Sequence, residues 1–341
     1  KTKNSKNVIM NIRKYRCYQT LAKTAYLLLK QRKNLSKIQM EMQQEYYSLI
    51  VPRATNKSKM VICMLDGRAL HGGLSDRLMG IISTYKVCKL LNLDFRIHFV
   101  KPFFLNDYLV PNKIDWKISY EEISYHSKDV LPIFLNTLGV LFEKGMQRKW
   151  LLKELSRDYK QFHIYTNACF SLDKSYSKLY NELFVPSERI QAALQFYLKE
   201  IGSEYISVSL RFLQLLGDFK DDNFPVLSKS EAEILISKCI KQIVKLHTQY
   251  PGYRLLVASD SISFLKKIEH FDFTYIIPGI PVHVDYATDN SFELHKKTFI
   301  DFLMIANAKK IFLLQTGKMY KSNFPKSASY VNNVPFKLIR F

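Results

Sequence analysis

The sequence predicts an α/β protein with two Rossmann-like domains behind a basic helical extension. The chain has 341 residues, more than one ordinary core organises and suited to two domains. Past residue 60 a short apolar run leads into a glycine turn, a long helix and a second short strand, the opening of a doubly wound sheet. From Tyr205 onward strand and helix alternate again, the pattern of a second parallel sheet. With 47% hydrophobic and 13% aromatic residues and only 11 Gly and 11 Pro, the composition excludes a disordered, collagen-like or linker-like chain.

The extension comprises residues 1–59. Ile9, Ile12, Tyr15, Leu21, Ala25 and Leu28 recur at steps of three or four residues save one of six, and no Gly or Pro interrupts residues 8–50, so the spacing predicts helix. Arg13, Lys14, Arg16, Lys23, Lys30, Arg32 and Lys33 fill the polar face. Such a helix suits an anionic membrane surface, or a solvated face packed on the body through its apolar side. Pro52 and the polar stretch Thr55–Lys59 read as a linker.

The first domain spans 60–200. Met60–Leu65 fits a buried parallel strand, His71-Gly72-Gly73 a turn, and Leu74–Leu91 a helix with Leu78, Ile81, Ile82, Tyr85, Val87, Cys88 and Leu91 on a broad apolar face. Asp94–Phe99 is the next strand. Between 100 and 200 the pattern is fainter, with a short helix end or a turn at Asn106–Leu109 before Pro111. Glu188–Ile201 is helical and adjoins the boundary. The second domain, 201–341, reads as strand Tyr205–Phe212, helix Ser228–Tyr250 capped by Ser228 or Ser230 and stopped by Pro251-Gly252, and strand Arg254–Ala258. A helix to Glu269, strand Phe273–Ile277, helix Phe292–Ala308 and strand Lys310–Leu314 follow.

The net charge of +21 calls for a phosphate-bearing partner. Residues 1–59 hold 14 Lys and Arg against 2 Glu, the rest 37 against 28 acidic residues. The body lacks the basic stripe of a nucleic-acid binder, so no nucleic acid is expected. Cys17, Cys63, Cys88, Cys169 and Cys239 include no C-x-x-C pair and suit a reduced compartment. No apolar run reaches about 18 residues, and Ala25–Leu29 is too short for a signal-peptide core. The expected place is the cytoplasm, peripheral on the inner membrane face through residues 1–50. The absence of G-x-G-x-x-G argues against a dehydrogenase, and no P-loop, G-x-S-x-G or H-E-x-x-H is present. No Asp-x-Asp stands at a strand end, so no metal is expected.

Four constellations carry chemistry. At Asp66–Leu78, Gly72 and Gly73 allow close approach to the backbone, the following helix start offers free N–H groups to an anion, and Arg77 adds a planar fork; a simple tight turn with Asp76 and Arg77 paired is the alternative. At Val208–Phe212 a strand end delivers Arg211, with Asp218 shortly after, a combination suited to binding a diphosphate and activating a hydroxyl. Ser259-Asp260-Ser261 follows a strand, where ligands bind in open α/β sheets, though an ordinary helix cap fits too. Asp301, Lys310–Leu314 and Ser322–Ala328 close the series, with Lys318 close to a helix start and able to add charge.

These segments resemble those of GDP-fucose-dependent fucosyltransferases, among them the nodulation, core α-1,6, α-1,2 and plant cell-wall enzymes. Gly72-Gly73-Leu74-Ser75-Asp76-Arg77-Leu78 is similar to their G-G-L-G-D/N-R-L, with Ser75 where glycine is usual. Val208–Phe212 resembles H-x-R-R-x-D, with Ser209 for the His, Phe212 for the second Arg and extra residues before Asp218. Ala258–Ser261 resembles T/S-D-S/D, and the last constellation resembles D-x-x-x-L-S … S-S-F-S-x-x-A. The resemblance implies two facing Rossmann-like domains of the GT-B type, an inverting transfer of fucose, GDP-fucose as a substrate, and no cofactor or metal. It implies Arg211 on the pyrophosphate and Asp218 as base, with Gly72, Gly73, Arg77, Asp260, Ser261, Lys318, Ser322 and Asn323 around the donor. The nucleotide-sugar donor would sit in the second domain. An oligosaccharide or lipid-linked glycan acceptor, of a bacterial surface polysaccharide such as lipopolysaccharide, would enter from the first. The replaced His and Arg leave open a non-catalytic polysaccharide-biosynthesis protein, or one with another nucleotide sugar.

Overall fold

A strand apolar on both faces must be covered on both. β1 (Met60–Leu65) is buried at all six positions. Val61, Cys63 and Leu65 pack with Leu78, Ile81 and Ile82 of α1 (Leu74–Leu91), while Met60, Ile62 and Met64 pack with Met42, Ile123, Phe134 and Tyr165. The computed structural model describes residues 37, 40–135, 144–169, 175–218, 225–282, 284 and 291–341. Most of the basic helix expected over 8–50 lies outside them, as does Cys17; residues 40–46 are helical.

The first lobe continues with β2 (Asp94–Phe99), β3 (Leu109–Pro111), β4 (Val130–Phe134), α2 (Lys144–Leu155), β5 (Gln161–Tyr165), α3 (Tyr176–Leu183), β6 (Phe184–Pro186) and α4 (Glu188–Ile201). Its four-stranded sheet runs β2-β1-β5-β4, each neighbouring pair parallel. β3 and β6 form a separate antiparallel pair. The linker expected at Pro52 and Thr55–Lys59 is instead part of a strap that covers the second face of this sheet. Met42, Tyr47 and Ala54 are buried. The Tyr47 hydroxyl lies 2.8 Å from His163 Nδ1, and burial draws the His163 imidazole down to about 3, so it stays neutral. Arg53 and the Ala54 N–H both donate to the Asp129 carboxylate.

The second lobe comprises β7 (Tyr205–Leu210), α5 (Lys229–Gln249), β8 (Arg254–Ser259), α6 (Ile262–Ile268), β9 (Thr274–Tyr275), α7 (Phe292–Ala306), β10 (Ile311–Gln315), α8 (Phe324–Val331) and β11 (Phe336–Arg340). Its sheet runs β11-β10-β7-β8-β9, again parallel throughout, a doubly wound order. Ser228 opens α5 in a capping box with Glu231. β7 stops at Leu210, short of the expected Phe212, because the Phe212 and Leu213 amides leave the ladder for the Asp260 carboxylate. β9 has two residues where five were expected. The Ile277 carbonyl accepts from Lys297 Nζ at 2.7 Å, which holds that segment away from the sheet edge.

One apolar cluster runs through both lobes. It includes Leu78, Tyr108 and Leu183 of the first, with Tyr205, Phe299, Ile311 and Ala328 of the second. Tyr108 stacks on Phe299 at 4.3 Å and on Phe292 at 4.9 Å between ring centres, and its hydroxyl donates to the Phe292 carbonyl at 3.0 Å. The helices α7 and α8 thus lie between the second sheet and the first lobe.

Helix α1 reaches the sheet closely through Gly80. A Cβ there would stand 2.3 Å from the Thr166 carbonyl oxygen, a contact only backbone movement could relieve. Gly80→Ala should therefore destabilise by about 1–3 kcal/mol despite its better helix propensity. Denaturant unfolding checks this, a gain in stability being the contrary result.

Candidate functional site

The strand order reverses between β7 and β10, the position at which doubly wound sheets bind ligands beyond their carboxyl ends. A cleft of about 280 Å3 opens there. Ser209 of β7 and Arg211 and Leu213 after it line the cleft, with Asp260 after β8, Pro281 and Val282 from the next loop, Thr298 and Asp301 from α7, and Ser322–Pro325 at the start of α8. Gly73–Asp76 close it from the first lobe.

Asp260 organises the floor. Its buried side chain accepts from the Phe212 N–H at 2.8 Å and the Leu213 N–H at 2.7 Å, and pairs with Arg211 Nε at 3.3 Å. Burial pushes its pKa up, opposed by Arg211 and the two amides. The same contacts hold Leu213 at a φ of 52°, a left-handed conformation that costs a non-glycine residue and persists where neighbours over-determine it. Arg211 is fixed in azimuth this way and keeps 22% of its side chain exposed.

Two helix starts add positive potential. Leu74 and Ser75 of α1 and Phe324 and Pro325 of α8 line the cleft, and the positive end of each helix dipole favours an anion there. Gly73 precedes α1 in extended backbone without a side-chain cap, and a Cβ there would meet open space. Ser322 Oγ accepts from the Phe324 N–H at 3.2 Å. On α7, Asp301 pairs with Lys297 at 3.0 Å, and burial raises its pKa against the pull of Lys297. Lys297 also holds Ile277, which fixes the loop carrying Pro281 and Val282.

The cleft brings together Arg211, Asp260, Gly73, Ser322 and Asn323 of the expected residues. It does not bring the others. Gly72, at φ 75°, leaves its side-chain space to the Asp76 carboxylate, which a Cβ would approach to 2.9 Å. Arg77 is buried and donates to the Gly72 and Lys101 carbonyls, with Phe99 below it. Ser261 caps α6 by accepting from the Phe264 N–H at 3.1 Å. Asp218 accepts from Ser261 Oγ at 3.0 Å and the Ser263 N–H at 2.6 Å, tying its loop to the start of α6. Lys318 is exposed outside the lining. Asp76 was read only within the glycine-turn motif and, in the alternative, as a partner of Arg77; Lys297 was not singled out, an i,i+4 spacing to Asp301 being the available signal. Among the described residues no group of three or more His, Cys, Asp or Glu could hold a metal ion, and no helix is long and apolar enough to cross a membrane.

Fold and cleft together define a two-domain Rossmann-like architecture of the GT-B type, as expected from the sequence. It is similar to that of NodZ alpha-1,6-fucosyltransferase co-crystallized with GDP, with a TM-score of 0.55 and 13% identity over 84% of this chain and 96% of that one. It is similar also to fucosyltransferase NodZ from Bradyrhizobium (TM-score 0.52, 12% identity, 80% of this chain and 92% of that one). A mutant of Arabidopsis thaliana FUT1 in complex with GDP matches with a TM-score of 0.51 and 11% identity over 90% of this chain and 74% of that one. At these identities the likeness is one of fold. No family model and no curated protein matches the sequence.

Protonating Asp260 would release Arg211, and its raised pKa places that event above the ordinary carboxylate value of 3.8. Anion binding in the cleft should weaken on acidification before exposed carboxylates titrate. Asp260→Asn should bind GDP weakly at every pH and lose that acid limb. GDP titration across pH checks this; an unchanged acid limb in the variant contradicts it.

Proposed function

We propose that the protein is a glycosyltransferase that moves fucose from GDP-fucose to a glycan hydroxyl with inversion. The convergence of Arg211 with the starts of α1 and α8 on one cleft carries this reading. It is a site for a diphosphate, on a fold shared with proteins solved with GDP. Arg211 and the helix starts stabilise the negative charge that builds on the departing diphosphate. The acceptor oxygen attacks the anomeric carbon as the bond from that carbon to the diphosphate breaks. GDP leaves, and the acceptor proton passes to a carboxylate.

Asp218 was the sequence's nominee for that base, but its carboxylate is engaged at the start of α6. Asp76 lines the cleft from the first lobe, the side from which the acceptor enters, and takes the role here. Asp301 suits the nucleobase, because one carboxylate accepts from both ring N–H and amino groups of guanine, which uracil cannot match. The acceptor in this reading is an oligosaccharide or lipid-linked glycan, reached by an enzyme held at an anionic membrane through residues 1–50.

A binding protein of the same fold, or a user of another nucleotide sugar, is the second reading, favoured by Ser209 and Phe212 where the resemblance places His and Arg. Calorimetry with GDP, GDP-fucose and UDP separates the readings. GDP should bind more tightly than UDP, and Arg211→Ala should weaken GDP by about 10- to 100-fold with helical content retained. UDP preference, or full transfer by Arg211→Ala, would overturn the assignment. Asp76→Asn should lower kcat about 100-fold or more at unchanged GDP affinity, while Asp218→Asn should act through stability; transfer assays beside thermal unfolding check the pair.

A further inference from the structure

Residues 48–53 form a loop pinned at both feet and apolar at its apex. The Ser48 N–H donates to the Tyr125 carbonyl at 3.0 Å, and the Ser127 N–H donates to the Ser48 carbonyl at 3.0 Å. Ser124 Oγ donates to the Pro52 carbonyl at 3.0 Å, and Arg53 clasps Asp129 just ahead of the edge strand β4. Tyr47, next to the first foot, is buried. Between these anchors Leu49 is 60% exposed and Ile50 94% exposed. Core packing does not account for two large aliphatic side chains held out at the top of a tied loop, a place where polar residues are the rule.

The surroundings are basic. Arg53, Lys57, Lys128 and Lys160 are exposed, and Lys160 Nζ donates to the Ala54 carbonyl at 2.9 Å, beside the loop. Of the acids nearby, Asp129 holds Arg53 and Glu122 accepts from the Ser119 N–H, while Glu41, beside Lys37, and Glu45 are exposed on the helical segment before the loop. The chain leading to the loop, residues 1–39, carries 11 Lys and Arg and no Asp or Glu.

We propose that the Leu49–Ile50 apex inserts into the interfacial layer of an anionic bilayer, with the surrounding cations on the lipid headgroups. The chemistry decides between partners. Cations alone serve any polyanion, but an exposed aliphatic tip gains nothing from a nucleic-acid backbone and gains free energy from burial among acyl chains. Each basic side chain near such a surface adds attraction that salt weakens. The feet already order the loop, so insertion costs little conformational entropy. The inference narrows the membrane contact proposed above from residues 1–50 to one loop. It is independent of the donor assignment, because GDP binding and vesicle binding are read separately.

The test is cosedimentation of the full chain with phosphatidylglycerol-containing vesicles, with phosphatidylcholine vesicles and a short DNA oligonucleotide as further arms. The wild type should bind the anionic vesicles far more strongly than the neutral ones. The double variant Leu49→Ser, Ile50→Ser should lose about tenfold or more of that binding, with its thermal midpoint and GDP affinity unchanged. Ile50→Trp should show a blue-shifted emission quenched by brominated lipid. Equal vesicle binding by wild type and double variant overturns the proposal. So does an Ile50→Trp emission indifferent to vesicles, DNA binding that responds to the apex substitutions, or a dimer in solution that the double variant dissolves.

Discussion

The buried carboxylate of Asp260 is the contact on which the cleft depends. An isolated charge at that depth would be costly, and three donors make it tolerable: the Arg211 guanidinium and two main-chain amides. The amides end β7, turn the chain through the strained Leu213 and aim Arg211 across the strand ends. The following loop reaches Asp218, which in turn fastens the start of α6. Arg211 is for this reason both a ligand candidate and a counter-charge within the fold, so its removal affects architecture and chemistry together.

Electropositive character in the cleft comes from parts far apart in sequence. The start of α1 belongs to the first sheet, and Arg211 and the start of α8 to the second. A diphosphate between them would neutralise one guanidinium and two helix ends that line the same cleft. Two of the three acidic groups lining the cleft are held by specific partners, Asp260 by Arg211 and Asp301 by Lys297. The net field at the cleft is thus set by pairing more than by the overall charge of the chain, most of which resides in the N-terminal extension.

Much of the architecture was legible in the sequence. Met60–Leu65, Leu74–Leu91 and Glu188–Ile201 stand as read, because unbroken apolar runs and regular spacing leave few alternatives. Most of the stretch from 100 to 200 was not, since β4 and β5 are short and interrupted by Pro132 and His163, and their pairing is non-local. α8 and β11 were missed beside a loop rich in Ser and Lys. At the site, Arg211 and Asp260 could be read from their places at strand ends. Arg77, Ser261 and Asp218 share the same local patterns but turn to backbone and capping partners. Sequence shows that such a residue stands near a turn; which way it faces depends on packing across the fold, as at Gly72, whose vacancy Asp76 fills.

The stacking of Tyr108 between Phe292 and Phe299, inside an apolar cluster common to both sheets, has a consequence for how the two halves relate. Neither is a finished globule: severed near residue 202, the N-terminal fragment would expose the seat of α7 and α8, and the C-terminal fragment would present those helices with no wall behind them. Such fragments would be expected to stick, to each other or to chaperones, and the intact polypeptide to melt in a single concerted step.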